Sequence, residues 1–239
     1  MGGSTRSGTL YVVSTPIGNL EDISQRAIRV LGEVDLIAAE DTRKSGILLK
    51  HLAIRKPLVS YHSYNETRKV DELISELQAG KAVAVITDAG TPGISDPAFT
   101  LIRSAIQHGF PVVPLPGATA LAAALVMSGL PMDRFVFEGF LPVKKGRKGR
   151  IEALTTEPRT IVLYESPHRI ARTLQDLLTI IGDRPAALAR EITKTFEETL
   201  RGTLSELLAK VTGKTIKGEI VLVVGGVEKK RSADREIQI

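Results

Sequence analysis

Cysteine and tryptophan are both absent from this chain of 239 residues, and aromatic residues make up only 4% of it. Without cysteine there are no disulfides and no thiolate chemistry, which fits a reducing compartment. So few aromatic residues argue against a broad base-stacking platform for single-stranded nucleic acid. The four histidines do not have the spacing of metal ligands, so we expect no metal centre.

Long apolar runs and the common nucleotide-binding motifs are missing as well. No segment is long enough to span a bilayer, and Met1–Gly8 lacks the apolar core of a secretory signal. We therefore expect a cytoplasmic protein without membrane contact. No G-x-G-x-x-G follows a predicted strand, and Thr212–Thr215 resembles a P-loop only at its end, because its first glycine is replaced by Leu208.

Positive charge is in excess, with a net charge of +5 and a pI near 9.4. The segment Lys144–Arg150 holds five cations in seven residues. It is either a solvated loop or a loop that contacts the phosphates of a nucleic acid. A basic balance of this kind favours a polyanionic partner.

Short apolar runs alternate with helix-period segments along the chain, which predicts an α/β fold with two lobes. We place the N-terminal domain at 9–117 and the C-terminal domain at 118–226, with a flexible N-terminus (1–8) and a tail (227–239). Each lobe should have a mixed or parallel sheet flanked by helices. The predicted strands are Thr9–Ser14, Asp35–Ala39, Lys56–Tyr61, Ala82–Thr87, Val112–Leu115, Arg134–Phe137, Thr160–Tyr164, Ala186–Ile192 and Glu219–Val224.

Local capping signals predict where several helices begin and end. The predicted caps are Asp22 for Ile23–Leu31, Asn65 for Glu66–Ala79, Ser166-Pro167 for a helix ending at Gly182, and a Thr203/Glu206 capping box for the last helix. A further apolar helix is expected over Ala120–Met127, after a turn at Pro116–Thr119.

The segment Ile86–Pro97 is the most informative part of the chain. It follows an apolar strand, is rich in glycine and proline, and precedes an amphipathic segment, Ala98–His108. Loops at the carboxyl ends of strands bind ligands in open α/β sheets, so this segment predicts a ligand-binding loop. The alternative is a tight turn in which Asp96 caps the next helix and Pro97 is its first residue. Both interpretations can hold together.

Eight motifs together resemble the tetrapyrrole methylase family, over roughly residues 8–226. They are Ser14–Leu20, Ala39–Arg43, Ser60–His62 with Asn65-Glu66, Asp88–Pro97, Leu115–Thr119, Phe137–Pro142, Tyr164–Arg169 and Ala189–Lys194. Within the family, tetrapyrrole-modifying members usually have Gly-Asp-Pro where this chain has Gly90-Thr91-Pro92. This difference and the basic segment favour the branch that modifies ribosomal RNA.

The resemblance implies a homodimer that binds S-adenosylmethionine in a cleft between two α/β domains. It implies methylation of a cytidine 2′-hydroxyl in small-subunit (16S) ribosomal RNA, either free or in the assembled subunit. Two alternatives stay open: a methyltransferase for a small tetrapyrrole precursor, and a non-catalytic RNA-binding or ribosome-assembly protein. The cofactor contacts that it implies are Pro16, Gly18, Asp88, Ala89, Gly90, Pro92, Ile94, Ser95, Asp96, Ala118, Thr119, Tyr164 and Glu165.

Methylation of a hydroxyl calls for a base, since the hydroxyl is a poor nucleophile until its proton leaves. Among the candidates Asp41, Glu40, Glu191, Lys194 and His62, we favour Asp41 and Lys194, because each follows a predicted strand closely. The alternatives are helix capping for Asp41 and a surface ion pair with Glu197 or Glu198 for Lys194. The expected phosphate contacts are Arg43, Arg68, Arg169 and the cations of the basic segment, namely Lys144, Lys145, Arg147, Lys148 and Arg150.

Overall fold

Residues 8–63 and 66–227 are described by the structure, which is a computed structural model. The predicted flexible N-terminus and tail lie almost wholly outside these residues, and so does the predicted cap Asn65. The chain folds into two compact units that divide between Ala120 and Leu121. No helix in the described part of the chain is long and apolar enough to cross a membrane.

The first unit is built on an all-parallel sheet of five strands. Its central strands are almost continuously apolar, as expected for strands buried on both faces. The strands are β1 (Thr9–Val13), β2 (Leu36–Ala39), β3 (Leu58–Ser60), β4 (Ala82–Ile86) and β5 (Val112–Leu115), in the spatial order β3-β2-β4-β1-β5.

Four helices cover the two faces of this sheet. They are α1 (Gln25–Glu33), α2 (Thr42–His51), α3 (Glu66–Gln78) and α4 (Phe99–Gln107). Apolar residues of α1 and α2 pack against Ala84 and Ile86 on one face, while those of α3 and α4 pack against Val83 and Val85 on the other. The chain runs from β1 and β2 into the helix layer on one face of the sheet, and from β4 into the helix layer on the other face. At the carboxyl edge, the connections after β4 and after its two neighbours therefore diverge.

The second unit contains a mixed five-stranded sheet. Its strands are β6 (Phe135–Phe140), β7 (Thr160–Glu165), β8 (Pro185–Arg190), β9 (Glu198–Thr203) and β10 (Ile220–Val224), in the order β6-β7-β10-β8-β9. Strand β6 is parallel to β7, whereas β10 lies antiparallel between β7 and β8. The helices are α5 (Ala120–Ser128), α6 (Arg147–Glu152), α7 (Ile170–Ile181) and α8 (Leu204–Val211), and α7 and α8 pack on the core of this sheet.

The predicted fold class, an α/β chain in which each lobe has a mixed or parallel sheet flanked by helices, is confirmed, with a parallel sheet in the first unit and a mixed sheet in the second. The capping box of Thr203 and Glu206 is also confirmed, and Gly182 ends α7 with a φ of 85°.

Three predicted helix starts were wrong. Helix α1 is capped by Ser24, whose hydroxyl accepts from the Ala27 amide at 3.1 Å, because Asp22 lies in a preceding 3₁₀ turn. Helix α4 begins at Phe99 rather than at Pro97, without a side-chain cap. Helix α7 begins at Ile170, because Ser166 forms a turn instead.

Candidate active site

Three loops meet at the carboxyl edge of the parallel sheet, where the chain diverges around β4. The loop after β1 bridges to the loop after β4 through two backbone hydrogen bonds between Thr15 and Gly90, of 2.9 and 3.1 Å. The Ser14 hydroxyl lies 2.9 Å from that of Thr91, which in turn reaches the Ala118 carbonyl of the loop after β5 at 3.5 Å. The loops are therefore held together before any ligand binds.

Two glycines permit this close contact. Gly90 has a φ of +88°, a conformation that costs other L-residues about 1–2 kcal/mol. At Gly117 the constraint is space, since an added Cβ would lie 2.8 Å from the Ser14 Cβ. Gly117 therefore allows two loops to lie in contact, in addition to its place in a turn.

The loop after β2 is joined to the same group through acidic side chains. The Glu40 carboxylate accepts from the Thr87 hydroxyl at 2.7 Å and from the Asp88 amide at 3.3 Å. Asp88 accepts from the Asp41 amide at 3.1 Å and from the Lys44 ammonium at 2.7 Å. No pattern in the sequence pointed to Lys44, because its partner Asp88 is distant along the chain.

The outer part of the loop after β4 is strained and partly exposed. Ser95 has a φ of 68°, and residues held in such conformations cluster at ligand-binding sites. Ile94 and Ser95 are exposed, Ala89 and Asp96 are half-buried, and Pro92 is buried. Of the other predicted cofactor contacts in this unit, Pro16 is buried, Gly18 is exposed, and Ala118 and Thr119 are half-buried.

Asp41 is the N-cap of α2, as the capping alternative predicts. Its carboxylate accepts from the Arg43 amide at 2.9 Å and from the Arg43 guanidinium at 2.8 Å. The hydrogen bonds donated by Arg43 hold the pKa of Asp41 well below its usual range. The carboxylate is therefore ionised at neutral pH, but it is a weak base.

Glu165, another predicted cofactor contact, has a side chain that is bonded within the second unit. Its carboxylate is buried, accepts from the Thr173 hydroxyl at 2.5 Å and lies 3.3 Å from the Arg169 guanidinium. The side chain is thus part of the packing between β7 and α7. Neighbouring Tyr164 is half-buried, and its hydroxyl accepts from the Leu121 amide at 3.2 Å.

Lys194 lies in a strained turn after β8, in which Glu191 and Thr193 have φ values of 50° and 66°. Its ammonium donates to Glu191 at 3.0 Å and to Glu219 at 3.2 Å, so its partners are not Glu197 or Glu198. Desolvation lowers the pKa of Lys194, but the two carboxylates outweigh it and the net pKa is raised. The two carboxylates therefore favour the protonated amine in this conformation, and the assignment of Lys194 as a base stays a prediction.

The predicted phosphate contacts fall into two groups. Arg147 is buried and Arg169 is half-buried, and both donate hydrogen bonds within the second unit. The others are exposed: Arg43, Arg68, Lys144, Lys145, Lys148 and Arg150. The basic segment is not a simple loop, since it includes α6. Among the described residues, no three His, Asp or Glu side chains form a group that could hold a metal.

Comparison with known proteins places this geometry in a family. The sequence profile of the family described as Tetrapyrrole (Corrin/Porphyrin) Methylases matches residues 9–208. Two curated relatives are both named ribosomal RNA small subunit methyltransferase I. The protein from Synechocystis is 52% identical, covering 92% of this chain and 79% of the relative, and that from Escherichia coli O157:H7 is 50% identical, covering 92% and 78%.

Solved structures show the same fold at low sequence identity. A diphthine synthase has a TM-score of 0.72 at 16% identity, covering 92% of this chain and 90% of the other. A uroporphyrin-III C-methyltransferase from Thermus thermophilus, crystallised with S-adenosylhomocysteine, has a TM-score of 0.64 at 20% identity, covering 90% and 97%. With the profile match and the curated relatives, this establishes that the chain belongs to the tetrapyrrole methylase family.

Proposed function

We propose that this protein transfers a methyl group from S-adenosylmethionine to a cytidine 2′-hydroxyl of small-subunit ribosomal RNA. One observation carries the proposal. Over 92% of its length, the chain is 50–52% identical in sequence to relatives named ribosomal RNA small subunit methyltransferase I. The joined loops at the carboxyl edge of the parallel sheet support it, because they form a preorganised ligand-binding edge.

The loops of the first unit suit the proposed donor. S-adenosylmethionine, when bound, supplies a methyl group on a sulfonium whose leaving thioether is neutral. The tight approach at Gly90 and Gly117 brings main-chain amides and carbonyls to the edge, and Ile94 adds an exposed apolar surface. The residues proposed to hold the donor are Pro16, Gly18, Asp88, Ala89, Gly90, Pro92, Ile94, Ser95, Asp96, Ala118 and Thr119. Tyr164 and Glu165, in the second unit, stay predicted contacts.

Asp41 stays the proposed catalytic residue. Its carboxylate is ionised, and 23% of the side chain is exposed, so it can accept a hydrogen bond from the attacking hydroxyl. Its low basicity favours orientation of the hydroxyl, with proton transfer late in the reaction. For Lys194, the charged state supports electrostatic attraction of RNA rather than proton abstraction.

The exposed cations are proposed to contact RNA phosphates, which fix the position of RNA without reading its sequence. In the second unit these are Lys144, Lys145, Lys148 and Arg150; in the first they are Arg43 and Arg68. Recognition of a folded small subunit by shape is the mode that fits such contacts.

Labelling of ribosomal subunits tests the proposal. Small subunits from a strain that lacks the activity are incubated with the protein and donor labelled in the methyl group. We expect label in the RNA, together with resistance of one nucleotide linkage to alkaline cleavage, since a methylated 2′-oxygen cannot attack the phosphate. Label on a base with unchanged cleavage contradicts the oxygen assignment. Turnover of a porphyrinoid without RNA labelling favours the small-molecule alternative.

We also propose that the protein acts as a homodimer in the cytoplasm. Phe99 and Ile106 on α4 are 66% and 60% exposed, an apolar surface that a second copy of the chain could cover. Light scattering tests this directly, and Phe99→Glu should shift the mass towards the monomer.

A further inference from the structure

A bulge in β6 places two phenylalanine rings around one tyrosine. The pairing of β6 with β7 shifts between Phe137 and Gly139, which leaves Glu138 as an extra residue. Residues three apart point to opposite faces of a regular strand, and one inserted residue brings them to the same face. The rings of Phe137 and Phe140 accordingly both contact Tyr164 edge-on, with centroids 4.9 and 5.7 Å apart. We call these three residues the ring cluster.

One ring of this cluster reaches the surface. Phe140 is 54% exposed, whereas Phe137 and Tyr164 are half-buried. Exposure of a large aromatic side chain has a cost in water, and the bulge that creates it is a local departure from regular pairing. Bulges are frequent beside binding sites, where they redirect a side chain.

Two inward-facing arginines fix the backbone that follows Phe140. Arg147 donates to the Pro142 carbonyl at 3.2 Å and to the Asp176 carboxylate at 2.7 Å. Arg169 donates to the Leu141 carbonyl at 2.6 Å. The exposed ring is thus presented from a fixed backbone, so a ligand that stacks on it need not order this segment when it binds.

Positive charge follows directly after this fixed segment. Lys144 and Lys145 are exposed, and within the described chain neither has an ion-pair partner. The bulge residue Glu138 pairs with Arg150, which ties the cluster to the basic helix α6. An exposed ring beside unpaired cations matches the two parts of a single-stranded nucleotide: a flat base and a charged phosphate.

We propose that Phe140 stacks on an unpaired base of the RNA substrate while Lys144 and Lys145 bind the adjacent phosphates. The inference rests on the proposed function and specifies the substrate's local form, a single-stranded nucleotide. A double-stranded stem does not fit, since its bases are stacked inside the helix and present no free face. The sparse aromatic composition argues against a broad platform, but one ring suffices for one base.

Substitution of Phe140 tests the proposal against a matched control on the same strand. Phe135 is 40% exposed and lies at the opposite end of β6. With small ribosomal subunits as substrate, Phe140→Ala should raise KM between about fivefold and a hundredfold, the range for loss of one stacked base. The value of kcat should hold, since stacking is kept through the reaction. Phe140→Tyr keeps an aromatic ring and should retain the KM of the parent. Phe140→Leu keeps an apolar side chain without the ring, so it separates loss of the ring from loss of bulk. Phe135→Ala removes another exposed ring and controls for general surface effects.

Different failures have different meanings. If the parent protein labels small subunits and Phe140→Ala leaves KM unchanged, the stacking inference is wrong and the proposed function stands. An equal rise in KM for Phe140→Ala and Phe135→Ala also overturns it, as does weaker binding of S-adenosylhomocysteine to Phe140→Ala in calorimetry, which would assign the ring to the donor. If the parent protein labels no RNA, the proposed function itself fails.

Discussion

Asp41 combines a structural and a proposed chemical role that one substitution can separate. Asparagine caps helices about as well as aspartate, so Asp41→Asn keeps the start of α2 and removes the charge. We predict that kcat falls about a hundredfold or more, the range of general acid–base groups, while thermal stability changes little. Methyl incorporation under saturating substrates and a melting curve measure the two effects.

A cap elsewhere supplies the control for Asp41. The Ser24 hydroxyl caps α1 by accepting from the Ala27 amide. Ser24→Ala should cost about 1 kcal/mol of unfolding free energy and leave kcat unchanged. An Asp41→Asn protein with parental kcat would show that Asp41 is a capping residue alone.

The raised pKa of Lys194 predicts how the free energy of unfolding depends on pH. A lysine whose pKa is higher in the folded than in the unfolded chain stabilises the fold. This stabilisation is fully present at pH values below the unfolded pKa of about 10.4, and it is lost as the pH rises through the folded pKa. The stability gap between the parent and Lys194→Gln should therefore be constant from pH 6 to 9 and shrink above about pH 10.4. We expect a gap of at most about 1 kcal/mol, since the pair is partly exposed.

Urea unfolding of both proteins across this pH range measures the gap. Glu219→Gln removes one of the two carboxylates and should move the decline to lower pH. A gap that already closes between pH 6 and 8 would mean that Lys194 loses its proton near neutrality, as a catalytic base requires.

At the scale of elements, the contact between the loops after β1 and β5 depends on Gly117, whereas Gly46 within α2 has no such role. Gly117→Ala places a Cβ 2.8 Å from the Ser14 Cβ and must displace one of the two loops. We predict weaker binding of S-adenosylhomocysteine, by about tenfold or more, measured by calorimetry. Gly46 lies within α2 with nothing near its added Cβ, so Gly46→Ala should gain up to about 1 kcal/mol of stability and keep its affinity. Equal affinities for the two variants would contradict the role of Gly117.

The elements also show which sequence signals suffice. Buried strands such as β4 and β10 were found because their residues are almost all apolar. Strand β9 was missed because Glu198–Thr203 is polar and forms the edge of its sheet, where one side faces solvent. Helix starts failed at Asp96-Pro97 and Ser166-Pro167, where the residues that favour a cap also favour a turn.

The sequence predicts the position of the loops at the candidate site, but not the hydrogen-bond partners of its charged side chains. Glycine, proline and their place after β4 predict a ligand-binding loop from sequence alone, and the structure shows its contacts with the neighbouring loops. The states of Asp41, Glu165 and Lys194 depend on partners that only folding brings close, such as Thr173 for Glu165 and Glu219 for Lys194. Arg147 shows the same limit: its position in a basic segment predicts phosphate contact, yet its side chain bonds inward.

For the molecule as a whole, the net charge of +5 predicts that RNA binding weakens with salt. The logarithm of the association constant should fall linearly with the logarithm of salt concentration, by about 0.7 for each contact with a single-stranded phosphate. Lys144→Ala and Lys145→Ala should each flatten this slope by about 0.7. Lys50→Ala, an exposed lysine at the other end of α2 from Asp41, should leave the slope unchanged. Parallel slopes for all three would remove Lys144 and Lys145 from the RNA contacts.

The position of β10 has a consequence for synthesis of the protein. Its residues, Ile220–Val224, are the last strand in the described chain, yet they lie in the middle of their sheet between β7 and β8. The first unit can complete its sheet once Leu115 has left the ribosomal exit tunnel, because its five strands are contiguous in sequence. The second unit has two unpaired inner edges until β10 has also left the tunnel, so β7 and β8 are the segments that most need protection by chaperones before then.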